Sequence, residues 1–209
     1  MFTKAALPNL LTVLRLVLTL VMFACFAAVA WVQEQGAAMD QAMIFLILRI
    51  ALASFAIAAV TDFFDGWLAR RWKVESLFGA ILDPIADKIL VCAAALGLIA
   101  VHVQPPVLVP IGIILFREFA VSALREVLAP RGLILKVTAL AKIKTALQLV
   151  ALGALMVAWF APAYGLHLTI DQFRLMAYGA HGLIWLAAAV TLWTGVEYGL
   201  SANRALKAT

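Results

Sequence analysis

Long apolar runs alternate with short charged intervals along the chain. No Asp, Glu, Lys or Arg falls between Arg15 and Glu34, between Lys144 and Asp171, or between Arg174 and Glu197. Arg49 is the one charge between Asp40 and Asp62. The stretch from Lys88 to Arg117 is also uncharged, but Pro105, Pro106 and Pro110 interrupt it. A bilayer core takes about 20 apolar residues per helix, and proline breaks a regular helix. The pattern therefore predicts six transmembrane helices, near residues 8–32, 42–62, 80–102, 107–128, 140–161 and 172–199. The expected fold is all-α, one polytopic integral membrane domain over residues 1–209.

Composition narrows the class further. The 209 residues are 66% hydrophobic and 13% charged, against about 45–50% and about 25% in a soluble domain. That excludes a soluble globular enzyme, a disordered chain and a nucleic-acid-binding module. Cys25 and Cys92 lie inside apolar runs and build no disulfide framework. Lys4 ahead of an apolar run imitates a signal peptide, but Arg15 interrupts the run and no small-residue cleavage site stands out.

The formal net charge of +5 is distributed one-sidedly. Lys4, the Arg70–Arg71–Lys73 group, the Arg125–Lys144 region and Arg204 with Lys207 all fall on alternate connections. The connections around 33–41, 102–106 and 160–171 carry no Lys or Arg. Basic connections stay cytoplasmic, so both termini are expected inside. Most tryptophans fall near helix ends, as an aromatic belt does. Arg49 lies about 20 Å from Asp62 at 1.5 Å per helical residue and reads as an interfacial or interhelical residue. His102, His167 and His181 have no second histidine at ligand spacing.

Carboxylates at a membrane are costly and functional by default. Asp62 and Asp65 end the second predicted helix, and Asp83 and Asp87 open the third. Residues three and four apart share a helix face, so two antiparallel neighbours can aim four carboxylates at one spot. Such a group stays ionised only with cations among it. An oxygen-only set suits Mg²⁺, Mn²⁺ or Ca²⁺, and two divalent ions would balance four charges and could clamp a phosphoryl transfer. Arg70 and Arg71 stand ready for phosphate, while Gly66, Ala69 and Gly79 permit close approach. The bland alternative is a charged loop capping two helices, with Asp83-Pro84 as a helix start.

These residues form Asp62-Phe-Phe-Asp65-Gly66-Trp-Leu-Ala69-Arg70, then Gly79, Asp83 and Asp87. The arrangement resembles the signature of the CDP-alcohol phosphotransferase family without a departure. Leu7–Arg15, Leu82–Lys88, Arg117-Glu118 with Ser122–Glu126, and Lys142–Thr145 with Gln148 resemble its bacterial phosphatidylglycerophosphate synthase branch. The resemblance implies transfer of a phosphatidyl group from CDP-diacylglycerol to sn-glycerol 3-phosphate, releasing CMP. It implies Asp62, Asp65, Asp83 and Asp87 as metal ligands, with Asp87 also the catalytic base. It implies CDP binding at Asp62, Gly66, Ala69, Arg70 and Gly79, a homodimer, and a bacterial inner membrane with the site facing the cytoplasm. Cardiolipin, phosphatidylserine and phosphatidylinositol-phosphate synthases share the signature and stay open. A cation transporter would need polar groups continuing across the membrane, which the apolar outer halves of helices three and four lack.

Glycerol 3-phosphate is a dianion and needs a basic pocket. Arg117, Arg125, Lys142 and Lys144 are the candidate cradle. Glu118, Ser122 and Gln148 lie beside them, with Glu118 expected to pair with Arg117 or Arg125. Asn9, Thr12 and Arg15 share one side of helix one and are further candidates for a phosphate. The alternative for these cations is anchoring and snorkelling.

Overall fold

The computed structural model describes residues 6–36, 39–72, 77–131 and 139–207. Caps set several of the helix ends on one side. Asp40 opens a helix by accepting the Ala42 N–H at 3.2 Å, while its carbonyl takes the N–H of Met43 at 2.9 Å. Thr169 and Gln172 form a reciprocal capping box, with bonds of 2.9 and 3.4 Å. Gln104 is held extended (φ −122°, ψ 116°) by the proline that follows, and Pro105-Pro106 then start a helix. Gly165 ends a 3-10 turn at φ 77°, the left-handed region that glycine tolerates.

The described residues form six α-helices: α1 (Ala6–Gln35), α2 (Gln41–Trp72), α3 (Leu77–Val101), α4 (Pro105–Leu128), α5 (Ala139–Trp159) and α6 (Ile170–Lys207). Short 3-10 turns cover Ala129–Arg131 and Ala161–Tyr164, and no strand occurs among the described residues. Five helices contain stretches long and apolar enough to cross a bilayer: Asn9–Gln35, Gln41–Asp62, Ile81–Val101, Pro105–Leu128 and Ile170–Arg204. The apolar part of α5, Ile143–Trp159, is shorter.

Three boundaries differ from the sequence pattern. Helix α2 runs on to Trp72, ten residues past its expected end at 62. Helix α6 spans 38 residues and reaches Lys207. Both continue because charge ends burial in lipid, not backbone hydrogen bonding, and Leu, Ala and Arg are good helix formers. Asp83-Pro84 is not a helix start: α3 begins at Leu77 and carries Pro84 inside it. Both stripes of the signature are therefore helical.

Helix α1 packs on α2 and α3, and α6 packs on α4 and α5. The two groups meet where α3 touches α4 and α5 and where α2 touches α5. The core between them is apolar, with Phe26, Phe55, Leu90, Leu98, Ile111, Leu152, Leu155, Met156 and Ile184 buried. Gly97 lets the Phe26 ring lie against α3, where any Cβ would collide with it. Large apolar side chains such as Phe116, Leu175 and Trp193 face outward, as lipid-facing positions do.

On the side away from the aspartates, Arg49 donates to the carbonyl of Ala163. Tyr164 donates to the carbonyl of Leu48 at 3.5 Å. Burial pushes the Tyr164 phenol above its ordinary range, so it stays a donor. Arg49 is thus the interhelical residue its position suggests.

Candidate active site

Helix α1 supplies polar groups to the aspartates of α2 and α3. The Thr12 hydroxyl donates to Asp83 Oδ1 at 2.6 Å. Arg15 is 0% exposed, and its Nη1 sits 2.7 Å from Asp62 Oδ1 and also bonds Asp87 Oδ1. Thr19 bonds back to the Arg15 carbonyl at 2.7 Å. Thr12 and Arg15 are three apart, and Asp83 and Asp87 are four apart. Both steps are about one turn, so these two parallel helices match polar stripe to polar stripe.

One guanidinium nitrogen bonded to two carboxylates shows that Asp62 and Asp87 converge on a cation. The donors are carboxylate oxygens alone, which fits a hard divalent ion. Among the described residues no three of Asp, Glu, His and Cys gather as a metal site by themselves. The side chains of Asp65, Ala69 and Arg70 lie outside the described residues, and so do the surroundings of Gly66. Gly79 is buried on α3.

A cavity of about 440 Å³ opens beside this cluster, between α3, α4 and α5. Asp87 and Lys88 form its α3 wall. Helix α4 contributes Arg117, Glu118, Ser122 and Arg125, and α5 contributes Lys144, Thr145 and Gln148. Asp87 thus belongs to both the carboxylate cluster and the cavity. The candidate cradle is gathered here, except Lys142, whose side chain lies outside the described residues.

The cradle's cations are individually held. Lys144, buried, donates to Glu118 Oε1, which also lies 3.6 Å from Arg117 Nη1. Gln148 Nε2 donates to Glu118 Oε1 at 3.2 Å and to Thr191 Oγ1 at 2.8 Å. Arg117 Nη2 donates to Thr194 Oγ1 at 3.1 Å. Glu118 pairs with Arg117, as expected, but its closest cation is Lys144. Arg125 lies about two turns further along α4 and turns to Tyr198, donating to its hydroxyl at 2.8 Å. The Tyr198 ring lies 5.5 Å from the Arg117 guanidinium carbon and 4.9 Å from that of Arg125, within cation–π range. Ser122 bonds back to the Glu118 carbonyl at 2.7 Å.

Helix α6 is the contribution that sequence reasoning missed. Thr191, Thr194 and Tyr198 are spaced by three and four, one polar stripe at the end of the long uncharged run of α6. That periodicity was the available signal. Gly195 sits in the same stretch, and a Cβ there would lie 2.9 Å from Arg117 Cγ. Its absence makes room for the Arg117 stem.

A helical membrane domain that joins a carboxylate cluster to a basic cavity defines a membrane-embedded transferase of phosphorylated groups. The CDP-alcohol phosphatidyltransferase family model matches residues 5–193, and the chain belongs to that family. It is 38% identical to a CDP-diacylglycerol–glycerol-3-phosphate 3-phosphatidyltransferase of Cereibacter sphaeroides, over 92% of this chain and 93% of the relative. A Salmonella typhimurium enzyme of the same name is 37% identical over 95% of this chain and 94% of its own. One from Escherichia coli strain K12 is 41% identical over 72% of this chain and 76% of its own.

Proposed function

We propose that the chain transfers the phosphatidyl group of CDP-diacylglycerol to sn-glycerol 3-phosphate, giving phosphatidylglycerol phosphate and CMP. The observation that carries this reading is Asp87, which stands where the carboxylate cluster meets a cavity lined by Lys88, Arg117, Arg125 and Lys144. A dianionic acceptor is drawn into such a cavity, and Arg grips phosphate oxygens in pairs. Its primary hydroxyl then faces Asp87.

Asp87 takes the proton of that hydroxyl as the oxygen attacks the phosphorus that bears diacylglycerol. The bond from that phosphorus to the CMP oxygen breaks, and CMP leaves. Among the described residues no Ser, Cys or His touches Asp62, Asp83 or Asp87, which favours direct displacement. Asp62, Asp65, Asp83 and Asp87 would hold two Mg²⁺ ions, or Mn²⁺ in their place, which when bound would neutralise the pyrophosphate and the departing CMP. The CDP moiety is assigned to Asp62, Gly66, Ala69, Arg70 and Gly79. Both termini and the site are placed on the cytoplasmic side of a bacterial inner membrane, supported by the basic connections, and a homodimer is the expected assembly.

The test is CMP release by the purified chain in detergent or lipid, with CDP-diacylglycerol and each alcohol in turn. Release with sn-glycerol 3-phosphate, abolished by EDTA and restored by Mg²⁺ or Mn²⁺, is expected. Release with serine or phosphatidylglycerol instead would overturn the acceptor.

A further inference from the structure

Asp87 and Thr145 line two neighbouring hollows at once. One is the basic cavity between α3, α4 and α5. The other is a narrow cleft formed by Asp62, Asp87, Leu90, Thr145 and Leu149. Among the described residues no other belongs to both. Thr145 of α5 and Asp87 of α3 therefore mark the border between the acceptor's side and the carboxylates' side. The Thr145 hydroxyl is also uncommitted. Thr19, Thr61, Ser122 and Thr194 each donate the hydroxyl to a carbonyl about one turn back in their own helix. The Thr145 hydroxyl makes no hydrogen bond among the described residues. Thr145 is half-buried on the cavity wall, and its oxygen is not one of the enclosed polar atoms left without a partner. A group in the cavity can therefore touch it.

The proposed reaction puts one atom at this border. In the transition state the transferred phosphorus is part-bonded to the acceptor oxygen, which comes from the cavity. It is also part-bonded to the CMP oxygen, which leaves on the carboxylate side. The two non-bridging oxygens of that phosphorus point sideways from the line of attack and carry negative charge. We infer that Thr145 is a further catalytic residue, whose hydroxyl donates to one of these non-bridging oxygens. The inference rests on the proposed reaction. The acceptor oxygen forms its bond to phosphorus, the bond from phosphorus to the CMP oxygen breaks, and the proton of the attacking hydroxyl goes to Asp87. Thr145 keeps its own proton throughout. Lys88, Arg117, Arg125 and Lys144 serve a different phosphate, the one the acceptor carries unchanged through the reaction. A fixed donor beside the reacting phosphorus acts where charge gathers in the transition state.

The experiment uses two pairs of chains, each pair differing by one hydroxyl: the wild type with Thr145→Val, and Thr145→Ser with Thr145→Ala. CMP release by the full chain is measured with CDP-diacylglycerol, sn-glycerol 3-phosphate and Mg²⁺. Within each pair the chain without the hydroxyl is expected to have a kcat about 10- to 100-fold lower, the worth of a hydrogen bond to a charged group. KM for sn-glycerol 3-phosphate should be little altered. Sulfur accepts hydrogen bonds poorly, so sulfur at one non-bridging position of the transferred phosphorus adds a readout that packing would not move. The wild type is expected to discriminate between the two sulfur diastereomers, and Thr145→Val to narrow the difference. Equal kcat within either pair, a loss carried by KM alone, or a diastereomer preference that Thr145→Val leaves unchanged would each overturn the inference. If Thr145→Val does not fold, the Ser and Ala pair decides on both readouts. Failure of the parent reading shows in the wild type instead, as no CMP release with sn-glycerol 3-phosphate, and takes the inference with it.

Discussion

Arg15 reaches from α1 to within 2.7 Å of Asp62 on α2 while fully enclosed by protein. The same nitrogen bonds Asp87 on α3, so one side chain ties three helices together at the carboxylate cluster. Arg15→Gln removes that shared counter-charge. Both carboxylates are about a third exposed, which screens the loss. In EDTA the substitution is expected to cost about 1–3 kcal/mol, below the figure for a fully buried pair. Mg²⁺ should recover part of it by replacing the missing cation. Thermal unfolding in EDTA and in Mg²⁺ checks this, and an equal loss in both would show that Arg15 acts only by packing.

Asp87→Asn keeps the shape of the group and removes its ability to take a proton. CMP release is expected to fall by about 10²–10⁴-fold, the usual worth of a positioned base, with monodisperse elution unchanged. Turnover at the wild-type rate would dismiss Asp87 as the base.

Gly195→Ala places a methyl group 2.9 Å from Arg117 Cγ. The contact is with the root of the side chain and not its tip, so the guanidinium must shift. Overpacking of this kind costs about 1–3 kcal/mol. The KM for glycerol 3-phosphate is expected to rise at least several-fold. An unaltered KM would mean that Arg117 does not bind the acceptor.

Tyr198 separates two effects. Tyr198→Phe deletes the 2.8 Å bond from Arg125 but keeps the ring. One hydrogen bond is worth about 0.5–1.5 kcal/mol, so KM for the acceptor should rise about three- to tenfold with kcat little altered. Tyr198→Leu also removes the aromatic face beside Arg117 and Arg125, and should cost more. Steady-state kinetics on both variants tests the order. Equal effects would assign the whole role to the hydroxyl.

The spacing of charges made most helices legible, because an apolar run without Lys, Arg, Asp or Glu has few ways to be satisfied other than a span. Helix ends were less legible. Asp62 marks where α2 leaves the apolar layer, yet the helix continues to Trp72, since water ends lipid burial without ending backbone hydrogen bonds. Spacing of i, i+3 and i, i+4 set Asp62, Asp83 and Asp87 apart as local stripes, but Thr12 and Arg15, read from the sequence as candidates for a phosphate, bond those aspartates. Which cation Glu118 chooses could not be read, because Lys144 and Arg117 reach it from different helices. Thr191, Thr194 and Tyr198 were overlooked for a related reason. A few polar residues in a long apolar helix gain meaning only when α6 is seen against α4 and α5.

The continuation of α2 has a consequence for where a lipid is processed. Its 32 residues extend about 48 Å, against about 30 Å of hydrocarbon. The stretch from Asp62 to Trp72 is therefore long enough to rise through the layer where phospholipid phosphates reside. A diacylglycerol-bearing nucleotide need not be lifted from its leaflet to meet the aspartates. It can arrive by lateral diffusion with its tails still solvated, while a water-soluble acceptor enters from above. The encounter between the two substrates is then a search in a plane met by a search in a volume, and the protruding end of α2 is where the plane and the volume touch.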